Sequence, residues 1–142
     1  MRRHDRPLPA DILTRLERVR ERLADHPQVI FAYLFGGLAR GEPKPLSDVD
    51  IAVYLEDTAD FMSTKLDLIG ILTTALATDE LDLVVLNQAP LSLAGRIQQT
   101  SRLMVDKEPF RRHCYESLIR RQFADFQIYE RTLLNRRFGL GR

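Results

Sequence analysis

Two short apolar runs bracket a polar stretch near the first quarter of the chain, and this arrangement limits the possible folds more than any other feature. Residues Val29–Phe35, VIFAYLF, are β-branched and aromatic, and they stop at Gly36-Gly37. Ten residues follow, and the chain then resumes as Asp48–Leu55, DVDIAVYL. Runs of this length and composition read as buried strands. A third, LDLVVLN over 81–87, has the same character. Between and around them the apolar spacing changes to the helical period. Ile12, Leu13, Leu16, Val19 and Leu23 predict a helix over 9–25 that stops before Pro27, and Phe61, Leu68, Ile69, Leu72 and Leu76 predict another over 61–78. A helix over 91–99 and a short edge strand, RLMVD, come next. From Glu108 one long helix is expected to about Arg137, with Phe110, Cys114 and Leu118 starting its inward stripe and Phe123, Phe126, Tyr129 and Leu133 continuing it. Interleaved helices and strands without repeats or linkers predict one small α/β or α+β domain over 1–142. Its core would span about 28–106, a mixed sheet of about four strands flanked by helices, with the long C-terminal helix over about 108–137.

The polar stretch carries the chemistry. Glycines at a strand end permit a tight turn and close approach of a ligand to the backbone. A helical turn beginning there would offer N–H groups to a phosphate, with Arg40 as a nearby cation. Asp48 and Asp50 are two apart on a strand, so their carboxylates share a face. Adjacent carboxylates repel unless a cation lies between them, and such oxygen ligands suit Mg²⁺ bound together with substrate phosphates. Asp82 stands alone in an apolar run, where burial is costly without a partner or metal, and would complete a three-carboxylate site if its strand adjoins that of Asp50. These parts suit metal-assisted phosphoryl or nucleotidyl transfer.

The rest of the sequence is less pointed. With 21 basic and 20 acidic residues, net charge advertises neither nucleic acid nor membrane. No run approaches the ~20 apolar residues that span a bilayer, and no signal-peptide core follows the charged N-terminus. The single cysteine, Cys114, excludes an internal disulfide and is expected in the core of the last helix. His4, His26 and His113 show no metal spacing and are expected at the surface. A cytoplasmic protein is the expectation.

The segment FGGLARGEPKPLSDVDIAV resembles the minimal nucleotidyltransferase branch of the DNA polymerase β-like nucleotidyltransferase superfamily. The superfamily pattern is Gly-Ser, ten residues, Asp-x-Asp, then a later lone acid on a strand; here it reads Gly36-Gly37, Asp48-Val49-Asp50 and Asp82. That branch includes antitoxins of the MntA type, encoded beside a HEPN-domain ribonuclease toxin. The resemblance implies transfer of AMP from ATP to a tyrosine hydroxyl of the HEPN partner, which blocks RNA cleavage. It further implies that Asp48 and Asp50 ligate Mg²⁺, with Asp82 as third ligand or base, and that Gly36 and Gly37 approach the triphosphate. Arg40 and Ser47 match the nucleotide-binding pattern. Gly37 departs from it, since the family carries serine there. The lost hydrogen bond to a charged group is worth about 1.5–3 kcal/mol, so the expectation is weakened catalysis. The alternative is a binding module that neutralises the toxin by contact.

Overall fold

The structure, a computed structural model, describes residues 11–39 and 49–138. In chain order it contains helix α1 (Ile12–Asp25), strand β1 (Val29–Phe35), the single turn of helix α2 (Gly36–Ala39), β2 (Val49–Leu55), α3 (Phe61–Leu76), β3 (Leu81–Val85), α4 (Leu91–Thr100), β4 (Arg102–Asp106) and α5 (Pro109–Phe138). The strands form one mixed sheet in the order β3-β2-β1-β4. β1 pairs antiparallel with both β2 and β4, while β2 pairs parallel with β3. The predicted α+β class, strand number and long last helix are all present.

Strand alternation divides the core between the two faces. Ala32 and Leu34 of β1, Val49, Ile51, Val53 and Leu55 of β2, and Leu81, Leu83 and Val85 of β3 pack with Val19, Leu23, Leu68, Leu72 and Leu76 of α1 and α3. The opposite face presents Phe31, Tyr33, Ala52 and Tyr54 to Ile97 of α4 and Tyr115 of α5. On it Phe31 stacks on Tyr54 at 4.7 Å, and Tyr115 tilts over both.

Local chemistry explains where the elements end. Asp60 caps α3 by accepting from the Ser63 N–H at 3.1 Å. β3 stops at Val85, two residues short of the predicted end, because Leu86–Gln88 form a 3₁₀ turn. Within that turn the Asn87 amide takes over the strand's pairing, bonding both the N–H and the C=O of Leu55 at 2.9 Å.

Three sequence expectations are corrected. Leu13 is exposed, so the α1 core is Ile12, Val19 and Leu23. His26 is not a surface bystander: its Nδ1 accepts from the Gln28 N–H at 3.2 Å, leaving Nε2 to donate to Asp67 at 3.0 Å. In α5 the predicted stripe is turned outward at both ends: only Phe123 of it is buried and Phe126 half-buried, while Tyr129 and Leu133 are exposed. Phe110 is 83% exposed, and Cys114 and Leu118 are also exposed. The helix instead meets the sheet through Arg112, Tyr115 and Glu116, and meets α4 through Phe123. No helix among the described residues is long and apolar enough to cross a membrane.

Two glycines give a test with opposite signs. A methyl on Gly95 would overlap the Phe123 ring where α4 and α5 touch, whereas one on Gly70 of α3 meets nothing. Gly95→Ala is expected to destabilise the fold by about 1–3 kcal/mol through overpacking. Gly70→Ala should stabilise it by about 0.5–1 kcal/mol, because alanine loses less backbone entropy in a helix. Urea denaturation of both variants checks the two signs together.

Candidate functional site

The parallel pairing of β2 with β3 builds the centre of the site. Its register sets Asp50 directly beside Asp82, and the antiparallel pairing of β1 sets Phe35 on the other side of Asp50. Neighbouring strands lie ~4.8 Å apart and register partners share a face, so the two carboxylates stand next to each other at one end of the sheet. Asp82 is exposed and Asp50 half-buried. The expectation of a costly buried Asp82 is therefore corrected: the residue alternates out of the core between buried Leu81 and Leu83.

Gly36 joins this pair for a reason that local sequence does not supply. Its φ is +73°, in the region that L side chains rarely adopt. A Cβ built there would overlap the Asp50 carboxylate, lying only 3.0 Å from its Cγ. The space where position 36 lacks a side chain is thus filled by Asp50, and the turn from β1 into α2 is held against the acid. Gly37 follows as the second residue of α2. Asp48, Arg40 and Ser47, the remaining predicted site residues, lie outside the described residues.

Two like charges directly opposite each other on adjacent strands are destabilising unless something positive lies between them. A hard cation with oxygen ligands fits this donor set. Asp50 and Asp82 could supply part of such a site; among the described residues, no group of three His, Cys, Asp or Glu could hold a metal ion.

Two features escaped the sequence reading. Glu80, two residues before Asp82, is only 1% exposed, and its carboxylate oxygens find no hydrogen-bond donor among the described residues. Its carbonyl accepts from the Val49 N–H at 2.8 Å, which anchors the start of β2. Burying an unpaired carboxyl costs free energy, and nothing in local sequence marks this glutamate as different from a surface one. The second is a polar cluster between the sheet and α5. The Tyr33 hydroxyl donates to Glu116 at 2.5 Å, and Arg112 donates to both Glu116 and Asp106 at 2.9 Å. Burial, reinforced by Glu116, pushes the Tyr33 phenol well above the ordinary tyrosine range. Tyr33 therefore serves as a fixed donor that locks the helix to the sheet.

The contact between Gly36 and Asp50 predicts a non-additive pair. Gly36→Ala should cost about 1–3 kcal/mol from backbone strain and overlap. Adding Asp50→Ala removes the overlap, so the double variant should be more stable than the sum of the two single effects. A double-mutant cycle measured by thermal or urea denaturation checks this, and strict additivity would mean that the two positions do not touch.

Comparisons with known proteins bear on the fold that carries these residues. Among solved structures, a chain of the toxin–antitoxin MntA–HepT superposes with a TM-score of 0.63 at 22% identity, covering 87% of this chain and 95% of that one. A chain of a toxin–antitoxin crystallised with AMP-PNP gives 0.61 at 21%, covering 86% and 91%. A chain from the complex of a tri-AMPylated Shewanella oneidensis HEPN toxin with its MNT antitoxin gives 0.62 at 20%, covering 86% and 92%. At these identities the likeness is one of fold. No curated protein matches the sequence. The family model for polymerase beta nucleotidyltransferases matches residues 17–110, more than half of the chain and a span that includes Gly36, Asp50 and Asp82, and this protein belongs to that family.

Proposed function

We propose that this protein is an antitoxin of the minimal nucleotidyltransferase type, one domain that transfers AMP from ATP to a tyrosine hydroxyl of a HEPN ribonuclease partner. The observation that carries the reading is the register pair of Asp50 and Asp82 beside Gly36, at the point where a strand turns into a helix. Membership of the nucleotidyltransferase family supports the reaction class. The fold shared with structures of an MNT antitoxin bound to an AMPylated HEPN toxin supports the partner.

In this reading Asp50 and Asp82, with Asp48, hold Mg²⁺, and Arg40 and Ser47 contribute to nucleotide binding. Bound there, the cation would neutralise charge on the triphosphate and on the departing pyrophosphate. The protein's own share is mostly placement. With no Cβ at Gly36, the turn closes on the Asp50 carboxylate, and in this reading Gly36 and Gly37 face the triphosphate through their backbone, Gly37 offering an N–H where relatives add a serine hydroxyl. Asp82, exposed at the sheet end, would act either as the third ligand or as the base that receives the phenolic proton as the tyrosine oxygen bonds to the α-phosphorus and pyrophosphate leaves. The setting would be cytoplasmic and the working form a hetero-oligomer with the toxin.

A second reading rests on Gly37: a chain that lost part of its nucleotide grip and inhibits the toxin by contact. The test is intact mass spectrometry of the cognate HEPN protein after incubation with this protein, ATP and Mg²⁺. One or more added AMP units are expected, with Asp50→Asn and Asp82→Asn each slowing transfer at least about a hundredfold, as for loss of a transition-state contact. An unmodified partner that still binds and loses ribonuclease activity would favour the second reading. Restoring the hydroxyl with Gly37→Ser should raise ATP affinity or rate about ten- to a hundredfold, the worth of a hydrogen bond to a charged group.

A further inference from the structure

The register that pairs Asp50 with Asp82 also sets an aromatic ring beside them. Phe35 of β1 is the cross-strand partner of Asp50 on one side, as Asp82 is on the other. Directly opposed residues share a face, with Cβ atoms about 5 Å apart. One row across the end of the sheet therefore reads Asp82, Asp50, Phe35. Strand alternation puts Phe35 on the face of Phe31 and Tyr33, and it packs against their cluster. Phe31 is 0% and Tyr33 4% exposed, whereas Phe35 is half-buried. Of the three rings, only the one next to the acids keeps contact with solvent.

Strand β4 extends this apolar ground. Leu103 is the register partner of Tyr33, so it shares the face and lies diagonal to Phe35, with the two positions about 7–8 Å apart. It is 44% exposed. An apolar shelf beside two carboxylates does nothing to hold a cation or a phosphate, which call for charge and hydrogen bonds. The strand order says which reactant meets it. β3 is an edge strand, so Asp82 is approached from outside the sheet, the side that suits a bulky protein acceptor. β1 lies inside, between β2 and β4, and continues directly into Gly36 and Gly37. The shelf is thus on the nucleotide's side of Asp50. The part of a nucleotide that matches an exposed ring is its base, because every base has a face that stacks on an aromatic side chain.

We infer that Phe35, flanked by Leu103, is the platform on which the base of the nucleotide stacks. Base, α-phosphate and acceptor hydroxyl then follow one another along the row Phe35, Asp50, Asp82. This rests on the reading that the site takes ATP. The test measures affinity by calorimetry, with Mg²⁺ present, for AMP-PNP and for inorganic tripolyphosphate, which has no base. Phe35→Leu is expected to weaken AMP-PNP binding at least about tenfold, as for loss of one base–aromatic stack, with tripolyphosphate affinity unchanged. Phe35→Tyr keeps the ring and should bind AMP-PNP within about twofold of the wild type. Leu103→Ala, at an exposed position, should weaken AMP-PNP about threefold and leave tripolyphosphate alone; it carries the test if Phe35→Leu does not fold. If AMP-PNP affinity is unchanged in Phe35→Leu and Leu103→Ala, the base lies elsewhere and the inference fails while the proposed function stands. If both probes weaken together, Phe35 shapes the Gly36 turn instead of touching the base, which also overturns it. If AMP-PNP affinity holds while the KM for the HEPN partner rises, the ring serves the acceptor tyrosine and the inference fails. A wild-type protein that binds neither probe removes the nucleotide reading, and this inference with it.

Discussion

The register of β2 is the constraint on which the candidate site depends. β2 lies between β1 and β3, antiparallel to one and parallel to the other. A slip of one residue in either pairing would turn Val49, Ile51 and Val53 out of the α1–α3 core and Asp50 into it. Burial of the apolar set therefore fixes the acid's position as firmly as any contact of its own. The same register brings Asp82 beside Asp50, and the turn at Gly36 closes on the carboxylate from β1. Three segments far apart in sequence meet at one end of the sheet because the opposite face is a packed hydrophobic layer.

The two helices on the other face are held differently. α4 and α5 approach closely at Gly95 and Phe123, while α5 is tied to the sheet by the Tyr115 ring, tilted over Phe31 and Tyr54, and by the hydrogen bonds of Tyr33, Glu116, Arg112 and Asp106. A buried polar network of this kind gives direction as well as adhesion, because its geometry is satisfied in one orientation only. It anchors the first half of the helix, while beyond Phe123 most side chains of α5 are exposed.

Much of this is legible in the chain. The four strands and the long helices follow from runs of β-branched residues and from apolar spacing, since period-2 and period-3.6 patterns are local properties. Gly36-Gly37 followed at ten residues by Asp48-x-Asp50 raises the expectation of phosphate and metal chemistry, and of these residues the structure brings Gly36 and Asp50 together. The expectations that failed share a cause. Phe110, Cys114 and Leu118 make a regular stripe, yet α5 has apolar residues all around it, and which stripe faces inward depends on where the sheet and α4 lie. Asp82 reads as buried because its neighbours are, but alternate residues of a strand face opposite ways, and here one of those ways is open.

Short stretches of chain are enough to set the order of elements, the class of fold and the residue types at hand for chemistry, because each of these is a local property. Other features arise only once the chain is folded: Asp82 pairs with Asp50, the missing side chain of Gly36 makes room for a carboxylate, Glu80 is enclosed, and most of α5 stays exposed. Those are relations between distant segments. They are set by the one strand register and helix placement that bury the apolar surface together, and no local pattern encodes that placement.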